Sequence, residues 1–321
     1  MSKILSLIIP VYNVEKYIEE CINSVIIQLD NRIEIIIVND GTPDNSMKII
    51  EHCLKDLPQN LQGCFIILNQ ENQGQSAARN RALDIVSGEY VAFVDSDDIL
   101  DKNYIQELFN IIDSFNPDII SIRGGRFEKI INHQDVTSEM KLLDKVELYE
   151  LTQKLKIEIF NRHHWFIWSY IVKKSVIKDN RFAVGIYFED ALFLSSLMFE
   201  VNNIYFSDKK LYNYRSNYNG SLLSVSPENI EKNINSYRFV ISHYYNEIKN
   251  NSLYSISYVI SLQSYLIYLK NRKGMFDMIK AYYEFIDCNK CVNKKLILNK
   301  GNFLFYKFGV FFLILISIFR K

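Results

Sequence analysis

Across the first 125 residues, short apolar runs alternate with amphipathic stretches, and that rhythm leaves few folds open. Leu5–Ile9, Glu34–Val38, Phe65–Leu68, Tyr90–Val94 and Asp118–Ile122 are short, rich in Ile, Val and Phe, and barely interrupted by polar residues. Strands that read as continuous hydrophobic runs are buried on both faces, as in a parallel sheet covered by helices. The segments between them supply the crossovers: Val14–Ile27, a helix opened by Asp44, Ser76–Val86 and Ile105–Phe115 all carry apolar residues at helical spacing. Pro10 should stop the first strand, since it cannot donate to a ladder. The first half is therefore expected to be α/β with a mostly parallel sheet.

In open α/β sheets, ligands bind beyond the carboxyl ends of the strands. Three polar clusters fall at those ends: Pro10-Val11-Tyr12-Asn13, Asp40-Gly41, and Asp95-Ser96-Asp97-Asp98. The last is the most charged, with three carboxylates in four residues. Like charges that close repel, so the cluster suits a hard divalent cation carrying a phosphorylated ligand, Mg2+ or Mn2+ by the preference for oxygen donors. A polar loop in which Asp98 caps the next helix accounts for the same residues. Between the second and third clusters, Asn72-Gln73-Gly74 leads into a helix whose first turns bear Arg79. An aromatic for stacking, an acid for a base or ribose edge and an arginine for phosphate make a nucleotide pocket. Neither G-x-x-x-x-G-K nor G-x-G-x-x-G occurs, so metal and side chains would have to hold a diphosphate.

Taken together, Ile8-Ile9-Pro10-Val11-Tyr12-Asn13, Val38-Asn39-Asp40-Gly41-Thr42, Asn72-Gln73-Gly74 with Ala78-Arg79-Asn80, and Asp95-Ser96-Asp97-Asp98 resemble the inverting glycosyltransferases of family 2. The resemblance implies a GT-A fold, a nucleotide-binding domain with a DxD metal motif. It implies that Pro10, Tyr12 and Asp40 line a uracil, with Asn72 and Arg79 beside it, and that Asn13, Gly74 and Ser96 also belong to the nucleotide-sugar site. Asp95 would then face the ribose, and Asp97 would ligate the metal. Asn39-Asp40-Gly41-Thr42 departs slightly from the family's usual Asp-Asp-Gly-Ser but keeps the aspartate before the glycine.

Downstream, Trp168–Lys173 and Phe182–Asp190 resemble the acceptor half of bacterial polysaccharide members. There the Glu-Asp pair supplies a general base, which points to Asp190 as base with Glu189 positioning it or the acceptor. Without the family, the same pair reads as acids favoured by a helix N-terminus. Tyr212-Asn213-Tyr214-Arg215, followed by Asn219-Gly220-Ser221, also resembles family members, and Arg215 would help neutralise the leaving diphosphate. His163-His164, placed on a strand, would point to opposite faces, so at most one could join a site. Residues 125 to 165 are mixed and suggest a hairpin and a helix.

From Pro227 onward the chain reads as helical: Glu228–Lys249, Leu253–Asn271 and Met275–Ile286. Net charge is zero, which argues against a general nucleic-acid binder, yet the charge is unevenly placed. Residues 270 to 321 hold 11 basic and 3 acidic side chains, and the remainder 26 and 34. Phe308–Phe319 falls short of the roughly 20 apolar residues a membrane span needs. It fits either an interfacial helix flanked by Lys307, Arg320 and Lys321, or one buried against the body.

Five cysteines in an odd, unframed pattern favour a reducing compartment, and Cys288-Asn289-Lys290-Cys291 lacks the second pair of a zinc site. Ile4–Ile9 is too short for a signal peptide. The expected organisation is a GT-A domain over 1–220, with donor half 1–125 and acceptor half 126–220, then a helical, basic region over 221–321. The expected activity is metal-dependent, inverting transfer of a hexose from a nucleotide sugar, most simply UDP-linked. The acceptor would be a glycan hydroxyl, lipid-linked, at the cytoplasmic membrane face. A non-catalytic nucleotide-sugar binding protein or a sugar nucleotidyltransferase would carry similar acids, though the latter wants a Gly-rich, arginine-bearing loop after the first strand.

Overall fold

The computed structural model describes residues 2–128, 138–216 and 226–319. The chain forms two compact units. One comprises Met1–Leu151, Trp165–Gly185 and Glu189–Asn217; the other comprises Thr152–His164, Ile186–Phe188 and Tyr218–Lys321.

The first unit is built on one sheet. β1 (Leu5–Val11) and β2 (Ile33–Asn39) pair in parallel, β3 (Phe65–Asn69) lies beyond β2, and β4 (Tyr90–Phe93) flanks β1 on its other side. Helices α1 (Ile18–Ile26), α2 (Ser46–Lys55), the single turn α3 (Gln59–Gln62), α4 (Gln75–Leu83) and α5 (Tyr104–Phe115) connect and cover these strands. Leu7, Ile9, Ile35 and Ile37 are fully buried, as side chains on a sheet covered by helices should be. Six further strands complete it: β5 (Ile99–Leu100), β6 (Ile119–Phe127), β7 (Ser138–Met140), β8 (Glu147–Glu150), β9 (Tyr170–Lys173) and β10 (Asn203–Arg215). The strand order is β3-β2-β1-β4-β9-β6-β10-β5, with β7 on β6 and β8 on β10. The sheet is parallel through β3-β2-β1-β4. It becomes mixed beyond, since β9 is antiparallel to both β4 and β6 while β6 and β10 are parallel.

Three local expectations change. Pro10 does not end β1, which stays in register with β2 as far as Val11↔Asn39. The pairing with β4 ends at Ile8↔Phe93, so at Pro10 the strand has one ladder left to serve and tolerates the missing N–H. α1 begins at Ile18 rather than Val14, because residues 14–17 form a turn in which Ser46 Oγ takes the Val14 N–H (3.2 Å) and Asp44 takes the Glu15 N–H (2.8 Å). Between 125 and 165 the expected hairpin pairing and helix are both present: β7 runs antiparallel to the end of β6 (Gly125↔Glu139, Arg126↔Ser138), and α6 spans Gln153–Arg162, while β8 pairs with β10. His163 is not on a strand. It caps α6 in the left-handed conformation at φ 51°.

Glu34 is the one acid within β2 and is buried, and its carboxylate accepts bonds from Ser6 Oγ, Ser87 N–H, Ser87 Oγ and Gly88 N–H. Burial alone would raise its pKa. The bonds outweigh that and hold it below the usual carboxylate range, fixing the turn that delivers β4 to the site edge.

α7 (Lys174–Ile177) and α8 (Glu189–Leu197) finish the first unit's helices. In the second unit, α6 joins α9 (Pro227–Glu247), α10 (Tyr254–Arg272), α11 (Met275–Phe285), α12 (Lys300–Phe308) and α13 (Val310–Phe319). α9 opens with Ser226 as N-cap and Pro227 at its first turn, a common helix start. α12 and α13 meet at Gly309 with a bend of 118°. Among the described residues no single helix is long and apolar enough to cross a membrane, although that bent pair meets the test together.

Candidate active site

At the carboxyl edge of β1 and β2, a loop is folded back by one buried acid. Asp40 is only 2% exposed. One carboxylate oxygen accepts from Gln70 Nε2 (2.7 Å) and the Gln73 N–H (2.9 Å), and the other from the Gly74 N–H (2.8 Å). Gly41 sits at φ 65°, and a Cβ there would stand 2.9 Å from the Asn72 nitrogen, so the loop packs where only glycine fits. Around this bend Tyr12, Asn13 and Asn72 are exposed and Pro10 is buried. Asn13 adopts φ 55° and donates its N–H to Thr42 Oγ1 at 2.8 Å. Of the loop residues that Asp40 gathers, Gln73 lies in the Asn72-Gln73-Gly74 block the sequence singles out, whereas Gln70 carries no sequence signal beyond a preceding strand.

The acid cluster after β4 is held by β10. The Asp95 N–H donates to the Tyr212 hydroxyl (3.0 Å), which donates to Asp98 (2.8 Å). The other Asp98 oxygen accepts the Arg215 N–H at 2.7 Å. Asp98 is fully buried, and burial, then Asp97 and Asp95, push its pKa well above the usual carboxylate range. Arg215 is tied into the same loop: its side chain is 7% exposed, donates Nε to the Asp97 carbonyl (2.7 Å) and an NH2 to Glu20 (2.7 Å), and lies over Phe127 and Tyr17 at 4.6 and 5.0 Å. Ser96 is buried, and Asp95 and Asp97 remain partly open to solvent.

Asp95, which is shared with Arg79 at 2.8 Å, and Asp97 are the carboxylates of this loop that reach solvent. Among the described residues no cluster of three His, Cys, Asp or Glu could hold a metal. One or two carboxylates completed by substrate phosphates and water is the usual magnesium arrangement, so the residues present fit such an ion when a diphosphate accompanies it.

Arg79, expected beside the nucleotide, is 2% exposed and binds three acids: Asp95 at 2.8 Å, Glu189 at 2.9 Å and Asp190 at 3.0 Å. Gln75, one turn earlier on α4, donates to Glu189 at 2.5 Å, and the ring of Phe182 lies 5.4 Å from the guanidinium. The second Asp190 oxygen accepts the Ile167 N–H at 3.1 Å. Burial is the largest influence on Asp190 and raises it, Arg79 opposes, and Glu189 and Asp95 raise it further, to about 8. Burial works against Arg79 as well, yet the three acids hold it firmly protonated. The site thus joins one carboxylate from the acid loop and two from the start of α8 on a single cation. Asp190 keeps 23% of its side chain in contact with solvent, whereas Glu189 keeps 3%.

His163 and His164, in the other unit, are lowered by burial to about 4 and are therefore neutral. Asn219-Gly220-Ser221 lie outside the described residues, as do Arg320 and Lys321.

Comparison with known proteins decides the family. The model for "Glycosyl transferase family 2" matches residues 6–173, just over half of the chain. The chain belongs to glycosyltransferase family 2. Within it, the chain is 32% identical over 228 residues to the "Uncharacterized glycosyltransferase EpsJ" of Bacillus subtilis (strain 168), covering 68% of this chain and 63% of EpsJ. It is 30% identical over 239 residues to the poly(ribitol-phosphate) beta-N-acetylglucosaminyltransferase TarS of Staphylococcus aureus (strain Mu50 / ATCC 700699), covering 70% of this chain and 38% of that protein. The chain thus spans less than two thirds of either relative. In three dimensions it resembles the crystal structure of S. aureus TarS 1-349 in complex with UDP-GlcNAc, with a TM-score of 0.70, 22% identity and coverage of 95% and 87%. The mannosyltransferase PcManGT from Pyrobaculum calidifontis, in complex with GDP-Man and Mn2+, aligns at TM-score 0.57 and 12% identity over 99% and 87%. At those identities the likeness concerns the fold, which is GT-A with C-terminal helices.

Proposed function

We propose that this family 2 glycosyltransferase moves a hexose from a UDP-sugar to a hydroxyl of a glycan acceptor with inversion at the anomeric carbon. Asp190 is the general base. The acceptor O–H proton passes to its carboxylate, the oxygen attacks the anomeric carbon, and the bond from that carbon to the diphosphate breaks on the opposite face. The observation that carries this reading is the fixed position of Asp190. One oxygen is held by Arg79 and the other by the Ile167 amide, leaving part of the carboxylate open to solvent. A base raised toward neutral pH takes up a proton more readily than an ordinary aspartate once it is ionised. Tyr12, Asn13 and Asn72 are the exposed groups available to the base of the donor, Asp95 and Ser96 lie at the ribose side, and Asp97 is the metal ligand. A divalent cation there, manganese or magnesium, would offset charge on the departing diphosphate. Arg79, committed to acids, keeps the base oriented.

The acceptor is a lipid-linked glycan in surface polysaccharide synthesis, and the enzyme works at the cytoplasmic face of the plasma membrane. Supporting this are the basic excess of residues 270–321 and the exposed Phe303, Phe308, Phe311 and Leu315 on α12 and α13, near Lys300 and Lys307. Exposed apolar residues beside lysines suit an anionic lipid surface. The transfer reading is tested with Asp190→Asn. Product formation from UDP-hexose should fall by about 1000-fold or more while UDP affinity stays within about twofold. A variant that keeps turnover would remove Asp190 from the role.

A further inference from the structure

Beside Asp190 stands an aromatic stack that the reaction above does not use. Phe166 immediately precedes Ile167, whose amide holds the Asp190 carboxylate. The Phe166 ring lies 6.1 Å from Trp168 with the planes 16° apart, and Trp168 lies 4.6 Å from Tyr212 at 13°. Tyr214 flanks Trp168 at 6.4 Å. Tyr212 is the residue whose hydroxyl ties Asp95 to Asp98. The stack therefore runs from the acid loop outward: Tyr212 and Trp168 are buried, and Phe166 meets solvent with 41% of its surface.

The backbone under it is fixed. The Phe166 carbonyl accepts from the Ser169 N–H (3.0 Å) and Ser169 Oγ (2.7 Å). Trp168 is seated against Gly124, where a Cβ would lie 2.5 Å from the indole. The Phe166 ring, 41% exposed on this rigid support, presents an apolar surface to solvent next to the residue that holds Asp190.

We propose that Phe166 is the platform on which a pyranose ring of the acceptor glycan stacks beside Asp190. The proposal rests on the base assignment above. A pyranose presents C–H bonds on one face and hydroxyls around its rim. The C–H face suits the π face of an aromatic ring, which leaves a rim hydroxyl directed to the adjacent carboxylate. Placement favours the acceptor over the nucleobase. Tyr12, the exposed aromatic of the donor edge, follows β1, whereas the Phe166 segment leads into β9 on the other side of β4.

The chain has two tryptophans, Trp165 and Trp168, and both flank Phe166, so tryptophan emission reports on this place directly. The full chain, with UDP and manganese present, is titrated with the methyl β-glycosides of glucose, galactose and N-acetylglucosamine. At least one should change the emission saturably. Phe166→Ala should weaken that binding about tenfold or more, and Phe166→Tyr should stay within about threefold of the parent. The UDP-induced thermal shift should be equal in all three proteins. A parent that binds UDP but shows no saturable response to any glycoside would overturn the platform alone, as would an alanine variant that titrates like the parent. Loss of the UDP shift in Phe166→Ala would overturn it too, by assigning the ring to the donor pocket. A parent that binds no UDP would instead remove the transferase reading on which the platform rests.

Discussion

A single guanidinium shared by three carboxylates organises the chemistry at the residue scale. Arg79 can be replaced by lysine in charge but not in geometry, since only the planar fork reaches Asp95 and the Glu189–Asp190 pair together. Arg79→Met leaves buried acids without a cation, a change of roughly 3–5 kcal/mol in comparable buried pairs, and should lower the melting temperature markedly. Arg79→Lys should preserve the fold while reducing turnover more than donor affinity; equal loss of both would mean that Arg79 touches the donor. The raised pKa of Asp190 gives a pH test. Its carboxylate must be ionised to accept a proton, so the rate should climb about tenfold per pH unit below about 8 and level off above it. A rate already flat from pH 5 upward would contradict the assignment. None of this was legible as a local pattern. Arg79 reads as a phosphate ligand in the sequence because its acid partners lie 16, 110 and 111 positions away, and only the fold shows them beside it.

The acid loop owes its shape to β10, more than 110 residues downstream. Tyr212→Phe removes one hydroxyl and leaves the Asp95 amide and Asp98 each short of a partner, at a cost of about 1–3 kcal/mol in urea unfolding. A change below roughly 0.3 kcal/mol would show that the clamp contributes little. The same distance explains what the strands disclosed. β1, β2 and β4 were plain in advance, because burial on both faces writes itself as an unbroken apolar run; β3 read the same way although, at the sheet edge, it is only partly buried. β5 went unseen, because two residues paired to β10 have no periodicity to read. Pro10 misled because the proline rule assumes two ladders, and β1 has only one at that point.

For the whole molecule, the proposal divides labour between a sheet-based unit that carries the site and a helical unit that carries the basic, partly apolar surface. Replacing Phe311 and Leu315 together by Glu should weaken binding to anionic vesicles by about tenfold or more, with donor hydrolysis unchanged. Vesicle binding that survives would count against this surface as the membrane contact. The order of the motifs made the family and the fold readable from residues 8 to 98, while the mixed sheet beyond β4 depends on pairings among residues 119 to 215 that no single segment announces.

The most direct test of the central claim is thermal-shift binding of UDP, GDP, CDP and dTDP, each with and without manganese. The account predicts a shift of several degrees for UDP with metal, lost in Asp97→Asn and retained in Asp190→Asn. No shift with any of the four nucleotides would contradict it.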